Sequence, residues 1–137
     1  MPAVRFPYFC DLPMVLLTVA EDRLEVGVVR RLLVDSGFTG DSSLILSSAD
    51  CSTFGKRLAS VSDVAGAIQG IHQRVWIPCA IPEIPFRSSL IAIAADLSAF
   101  SLPNGIDGLV GLSFLNQFVR WGAEQDPAGS WEFVLEK

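Results

Sequence analysis

Residues 32–40 read "LLVDSGFTG", three aliphatic residues running straight into an acid, a hydroxyl residue and a glycine. A carboxylate at the end of a buried strand faces a desolvation cost of several kcal/mol unless hydrogen bonds or a partner offset it. Asp35-Ser36-Gly37 also suits an ordinary tight turn, with Asp first and Gly where φ must be positive. Asp35 is therefore either a turn former or the centre of the chemistry, and the surrounding chain has to decide between the two.

The chain has 137 residues, enough for one domain spanning 1–137 with a sizeable core but short for two. Half of its residues are apolar and only 18% are charged, so some apolar surface is expected to meet another chain. The net charge of -5 argues against a surface that tracks phosphates and offers no basic stripe for anionic lipid, so neither nucleic acid nor membrane is an expected partner. The run "LPMVLLTVA" is too short to span a bilayer, and Glu21 and Asp22 follow it too closely for a cleavable signal. Cys10, Cys51 and Cys79 form an odd set with no CxxC spacing, which fits a reducing compartment, the cytoplasm, better than a disulfide framework. His72 is the single histidine, so no His-rich metal site can be built; it reads as a surface residue, with no metal and no cofactor expected.

Strand signals dominate the pattern. Met14 to Val19 is an apolar run closed by the turn "AEDR", Leu24, Val26 and Val28 alternate in a second run, and Arg30 and Arg31 separate that run from the strand Leu32 to Val34. "SLIL" reads as a short buried strand. "SSADCSTFGKRLA" suits a short helix capped by Ser47 or Ser48, with Phe54 and Leu58 on one face. Gly66 and Gly70 bracket a hairpin tip, Val75 and Ile77 alternate, and Pro78, Pro82 and Pro85 suit an edge strand or its exit. Leu90 to Ala94 looks like an interior strand. "LPNGIDG" is a turn in which Asp107 has no chemical role, and "LVGLSFLNQF" is an apolar pair reaching Gly111, then a short helix with Leu112, Leu115 and Phe118 inward. The last hairpin alternates Trp131, Phe133 and Leu135 with Glu132 and Glu136. Trp76, Trp121 and Trp131 read as core or interface aromatics, and Cys51 and Cys79 as small apolar residues.

An aliphatic strand ending in Asp35-Ser36-Gly37, and far downstream an aliphatic pair ending in Gly111 before a short helix, resembles one lobe of the retropepsin-like aspartic proteases. "VDSGFTGDSSLIL" is similar to the bacterial and archaeal single-lobe branch of that clan, in which a Phe and a second Gly follow the turn of the acid. The likeness covers the chain from Met14 to the final hairpin. It implies a mostly β fold, a closed β-barrel with one or two short helices. It further implies an aspartic endopeptidase with Asp35 as catalytic acid, Ser36 and Gly37 as the active-site turn, and Gly111 as structural support. Phe38, Thr39 and Asp41 fall beside the implied substrate cleft, although Asp41 reads equally well as a solvated turn residue. Gly66, Ala67, Ile68, Gln69 and Gly70 fall at the implied flap. Ser36 stands where Thr is commoner, keeping the donor but losing a methyl group, and no aromatic marks the flap tip.

Peptide hydrolysis asks for a base and an acid together, and two carboxylates about 3 Å apart supply both by sharing one proton. The chain has one such turn. The resemblance therefore implies a homodimer in which a two-fold axis sets Asp35 against its own copy, with an extended polypeptide as substrate. A protein of the same shape without turnover, a peptide-binding or dimerisation module, is the alternative.

Overall fold

The computed structural model describes residues 2–64 and 69–137, and of these the side chains of all but 60–64. Among the described residues, ten strands and two short helices follow one another: β1 (Ala3–Pro7), β2 (Met14–Val19), β3 (Val28–Val34), β4 (Leu44–Ser47), α1 (Ser48–Phe54), β5 (Lys56–Val64), β6 (Gly70–Ile81), β7 (Phe86–Ala95), β8 (Gly108–Val110), α2 (Leu112–Leu115), β9 (Arg120–Gln125) and β10 (Trp131–Glu136). Single 3-10 turns stand at Leu24–Val26 and Leu97–Phe100.

Strands β2, β3, β8, β4, β7 and β6 are hydrogen-bonded in that order, and β6 returns to β2, so six strands close into a barrel. The closing seam is short: Thr18 faces Ala80 and Val19 faces Cys79. Strand β5 extends the barrel as the second arm of a hairpin with β6, paired down to Val64 opposite Gly70. Strands β1, β10 and β9 form a separate three-stranded antiparallel sheet from the two ends of the chain.

Side-chain alternation explains which residues fill the barrel. Val15, Leu17, Leu32, Leu44, Leu46, Ile77, Cys79 and Ile81 are fully buried in one cluster, capped by Phe114 and Phe118 of the α2 region packed on Phe86. A smaller cluster on the opposite face holds Ile45, Ile93, Ala95 and Leu109. Strand β4 is thus covered on both faces, which accounts for its unbroken "LIL" where a half-exposed strand would alternate.

Several expectations need correction. The alternation of Leu24, Val26 and Val28 is not a strand: Leu24–Val26 form the 3-10 turn, and Val26 is 72% exposed. Arg30 and Arg31 do not interrupt the next strand, because β3 runs through both. Their charges are met sideways, Arg30 by a bidentate pair to Asp50 of α1 at 2.8 and 3.0 Å and Arg31 by stacking over the Phe9 ring at 4.1 Å. Helix α1 starts as expected, with Ser47 Oγ accepting from the Asp50 amide, but Gly55 ends it, so Leu58 lies on β5 and not on the helix face of Phe54. Pro78 sits inside β6 where the strand exchanges one neighbour for another, after Trp76 opposite Lys56 and before Cys79 opposite Val19. No amide donor is needed there. In α2 it is Phe114, with Leu115, that is buried, while Leu112 is only half-buried. Trp131 points outward at 49% exposure and Trp76 at 40%; Trp121 is the half-buried one, against Phe133.

Removing the Asp50 carboxylate takes away two charge-assisted hydrogen bonds to Arg30 and leaves that partly buried guanidinium without them. Asp50→Ala is expected to lower the unfolding free energy by about 2 kcal/mol, read as a lower urea midpoint at unchanged slope. Burial pushes the thiols of Cys51 and Cys79 up to about 12. Only the exposed Cys10 should react with a thiol reagent at pH 8, the other two reacting after unfolding. The stability carried by the two neutral thiols is complete below their ordinary value of 9.0 and drains away as pH climbs toward 12.

Candidate active site around Asp35

Asp35 follows directly on β3. Strand β8 lies between β3 and β4, parallel to the first and antiparallel to the second, with Val110 beside both Val34 and Leu44. One further bond carries that ladder into the turn: the Asp35 amide donates to the Val110 carbonyl at 2.9 Å. The carboxylate is half-buried and folds back on its own turn, Oδ1 accepting from the Gly37 amide at 3.1 Å. The backbone closes that turn as well, the Phe38 amide donating to the Asp35 carbonyl at 3.1 Å.

The turn is strapped to the segment after β8. The Leu112 amide donates to the Phe38 carbonyl and the Gly111 amide to the Ser43 carbonyl, each at 2.9 Å. Beneath them Ser43 Oγ and Ser113 Oγ lie 3.0 Å apart, and Ser113 Oγ also donates to the Ser42 carbonyl at 3.2 Å. Ser42 and Ser43 are both buried, so these bonds satisfy groups that water does not reach. Gly111 is required by close approach: a Cβ there would stand 2.5 Å from the Phe38 ring and 2.7 Å from the Phe38 carbonyl oxygen.

The expected site residues divide into three groups. Asp35, Ser36, Gly37 and Gly111 belong to one assembly, with Ser36 and Gly37 exposed at the surface of the turn. Phe38 is half-buried against the Ile45, Ile93 and Leu109 cluster, so its ring anchors the turn, while Thr39 is exposed beside it. Asp41 pairs with Arg74 of β6 at 2.8 Å, and the same guanidinium reaches Ser42 Oγ at 3.5 Å. Asp41 thereby links the turn to the β5–β6 hairpin. Of the flap residues, Gln69 and Gly70 are exposed at the base of the tip, with the Gln69 carbonyl 3.1 Å from His72 Nε2. Gly66, Ala67 and Ile68 lie outside the described residues.

Three contributors carried no local signal in the sequence. Arg74, Ser113 and Asp107 act through residues far away in the chain. Asp107 in particular is more than a turn: its carboxylate accepts from the Arg31 amide at 2.9 Å while its own amide donates to the Arg31 carbonyl at 2.8 Å, fixing the start of β8 against β3. Among the described residues no three His, Cys, Asp or Glu side chains are grouped to hold a metal ion, and no helix is long and apolar enough to cross a membrane.

What the fold defines is a closed six-stranded β-barrel with an acid turn at the end of an interior strand. In comparisons with known protein families and with curated proteins, no family and no curated protein matches the chain.

The contact between Gly111 and Phe38 gives a direct check. Gly111→Ala is expected to cost about 2 kcal/mol by forcing the Phe38 ring and carbonyl apart, seen as a lowered thermal midpoint. An alanine variant as stable as the native protein would show that the turn is free to shift.

Proposed function

We propose that this chain is a retropepsin-like aspartic endopeptidase, active as a homodimer in which two copies of Asp35 share one proton. The observation that carries the reading is the position of Asp35. It stands one residue past an interior strand, its amide bonded to Val110 of β8 and its turn packed on Gly111, and among the described residues its carboxylate bonds to the Gly37 amide alone. A plain turn former does not need an interior strand bonded on both sides to aim it. The Asp41–Arg74 pair supports a coupling of turn and hairpin, and the hairpin of β5 and β6 is the element suited to close over a substrate.

The chemistry balances with two carboxyls and a water. The ionised Asp35 takes a proton from water as the water oxygen bonds to the scissile carbonyl carbon. The protonated Asp35 of the second copy donates its proton to the carbonyl oxygen. Collapse of the tetrahedral species breaks the C–N bond: the leaving nitrogen takes a proton from the first carboxyl while one hydroxyl of the diol returns its proton to the second carboxylate and becomes the new carbonyl, so the pair again holds one proton. Ser36 braces the pair by its hydroxyl. The substrate runs extended, held by its main chain. The three free thiols, two of them buried, suit a reducing compartment, and we place the protein in the cytoplasm.

Incubation with a peptide library is expected to give cleavage that vanishes in Asp35→Asn while the far-ultraviolet spectrum stays unchanged. Activity per mole of chain is expected to fall on dilution, and the rate to follow a bell-shaped pH profile belonging to the pair of carboxyls. Full activity in Asp35→Asn would end the proposal.

A further inference from the structure

Among the described residues the protein leaves three strand edges open: β5, β1 and β9. An open edge is a row of unpaired amides and carbonyls that takes another strand unless something blocks it. Strand β5 is blocked, since Lys56 and Arg57 begin it and its register shifts between Arg57 and Val61. Strand β1 is bounded by Pro2 and ends in Pro7, and antiparallel pairing with its own copy about its middle residue would set Arg5 against Arg5.

Strand β9 is different. A two-fold axis perpendicular to a sheet sets some residue opposite itself and pairs the others symmetrically about it. Centred on Gly122, that pairing sets Arg120 against Glu124 of the partner subunit, and Glu124 against the partner subunit's Arg120. Gly122 brings no side chain to the axis, and a Cβ built there meets nothing within 4 Å, so two backbones can approach. Both residues stand on the edge strand, and within one chain Arg120 bonds to Glu124 and to Glu136 of β10 while Glu124 also bonds across the sheet to Arg5 of β1, so pairing with a copy sets these charges against a second set of partners. Val119, 65% exposed just ahead of the strand, falls opposite Gln125 of the partner subunit in this register.

We infer that β9 pairs antiparallel with β9 of a second copy about Gly122, joining two three-stranded sheets into one of six strands. This rests on the reading that the Asp35 site needs a second copy, and it names an open edge through which a second copy can pair. The self-complementary charges of β9 select it over β1, where the same operation sets two cations together.

Charge reversal tests the pairing because a mixture of two variants restores what each has lost. Arg120→Glu sets the introduced carboxylate against Glu124 of the partner subunit at both ends of the interface. Glu124→Arg likewise sets the introduced guanidinium against the partner subunit's Arg120. Each variant alone is expected to raise the dimer dissociation constant by about tenfold or more, measured by analytical ultracentrifugation. An equimolar mixture pairs opposite charges at both ends and is expected to form a heterodimer near native affinity, although the pair within each chain remains broken. Hydrogen exchange of the native protein supplies a readout without variants: β9 amides are expected to gain protection as concentration rises through the dissociation constant. Any one of four results overturns the inference: a native protein monomeric at millimolar concentration, single variants that dimerise as tightly as the native chain, a mixture no tighter than its components, or β9 amides indifferent to concentration. The two readings fail separately. Native dimers that recombine as described but cleave nothing remove the peptidase and keep the edge; unmixed variants that cleave at the native rate remove the edge and keep the peptidase.

Discussion

The structure depends on β8, three residues long and hydrogen-bonded on both sides. Gly108, Leu109 and Val110 run parallel to the end of β3 and antiparallel to β4, so the strand bearing the acid and the strand following it are held apart by one fixed spacing. Gly108 fits only because it has no Cβ, which would run into the Ile45 carbonyl. From this wedge follow the bond to the Asp35 amide, the seat of Phe38 over Gly111, and the direction in which α2 leaves to drive Phe114 into the barrel mouth. A shift of one residue in β8 would turn Val110 out of one core and Leu109 out of the other.

Around that wedge the arginines work as ties between elements. Arg30 joins β3 to α1, the Arg31 guanidinium joins β3 to the Gly105 carbonyl in the loop ahead of β8, and Arg74 joins β6 to the acid turn. In a chain with only 18% charged residues, these few partly buried contacts bridge segments distant in sequence. The charges of the terminal sheet are of another kind. Arg5, Arg120, Glu124, Glu132 and Glu136 lie near one another toward solvent, where screening leaves each pair little stabilising effect.

Local pattern made a good part of this architecture readable. The apolar run of β2 matches Met14–Val19 residue for residue, "SLIL" is the doubly covered β4, and the Ser47 cap opens α1, because each is governed by burial or capping within a few residues. A mostly β chain with short helices was equally accessible from the strand signals, while closure into a barrel came only through the resemblance carried by the acid turn and Gly111. What escaped were features set by distant partners. Arg30 and Arg31 looked like a break because their acceptor and their aromatic platform lie at Asp50 and Phe9, and β1 was missed because "AVRFP" becomes a strand only through β10. At the site, the Asp35 turn and Gly111 stood out as motifs, whereas Arg74 and Ser113 reach Asp41, Ser42 and Ser43 only across the assembled barrel.

The parallel pairing of β3 with β8 also has a temporal side. Residues that hold the Asp35 turn in shape, Val110 to Ser113, are made long after Asp35 itself, and a parallel pair across so much intervening chain closes late. A chain still emerging from the ribosome carries its acid on a strand that has β2 beside it but still lacks β8. Synthesis therefore has to pass residue 113 before the turn that carries the carboxylate is braced, and truncated products ending ahead of residue 110 are born without that brace.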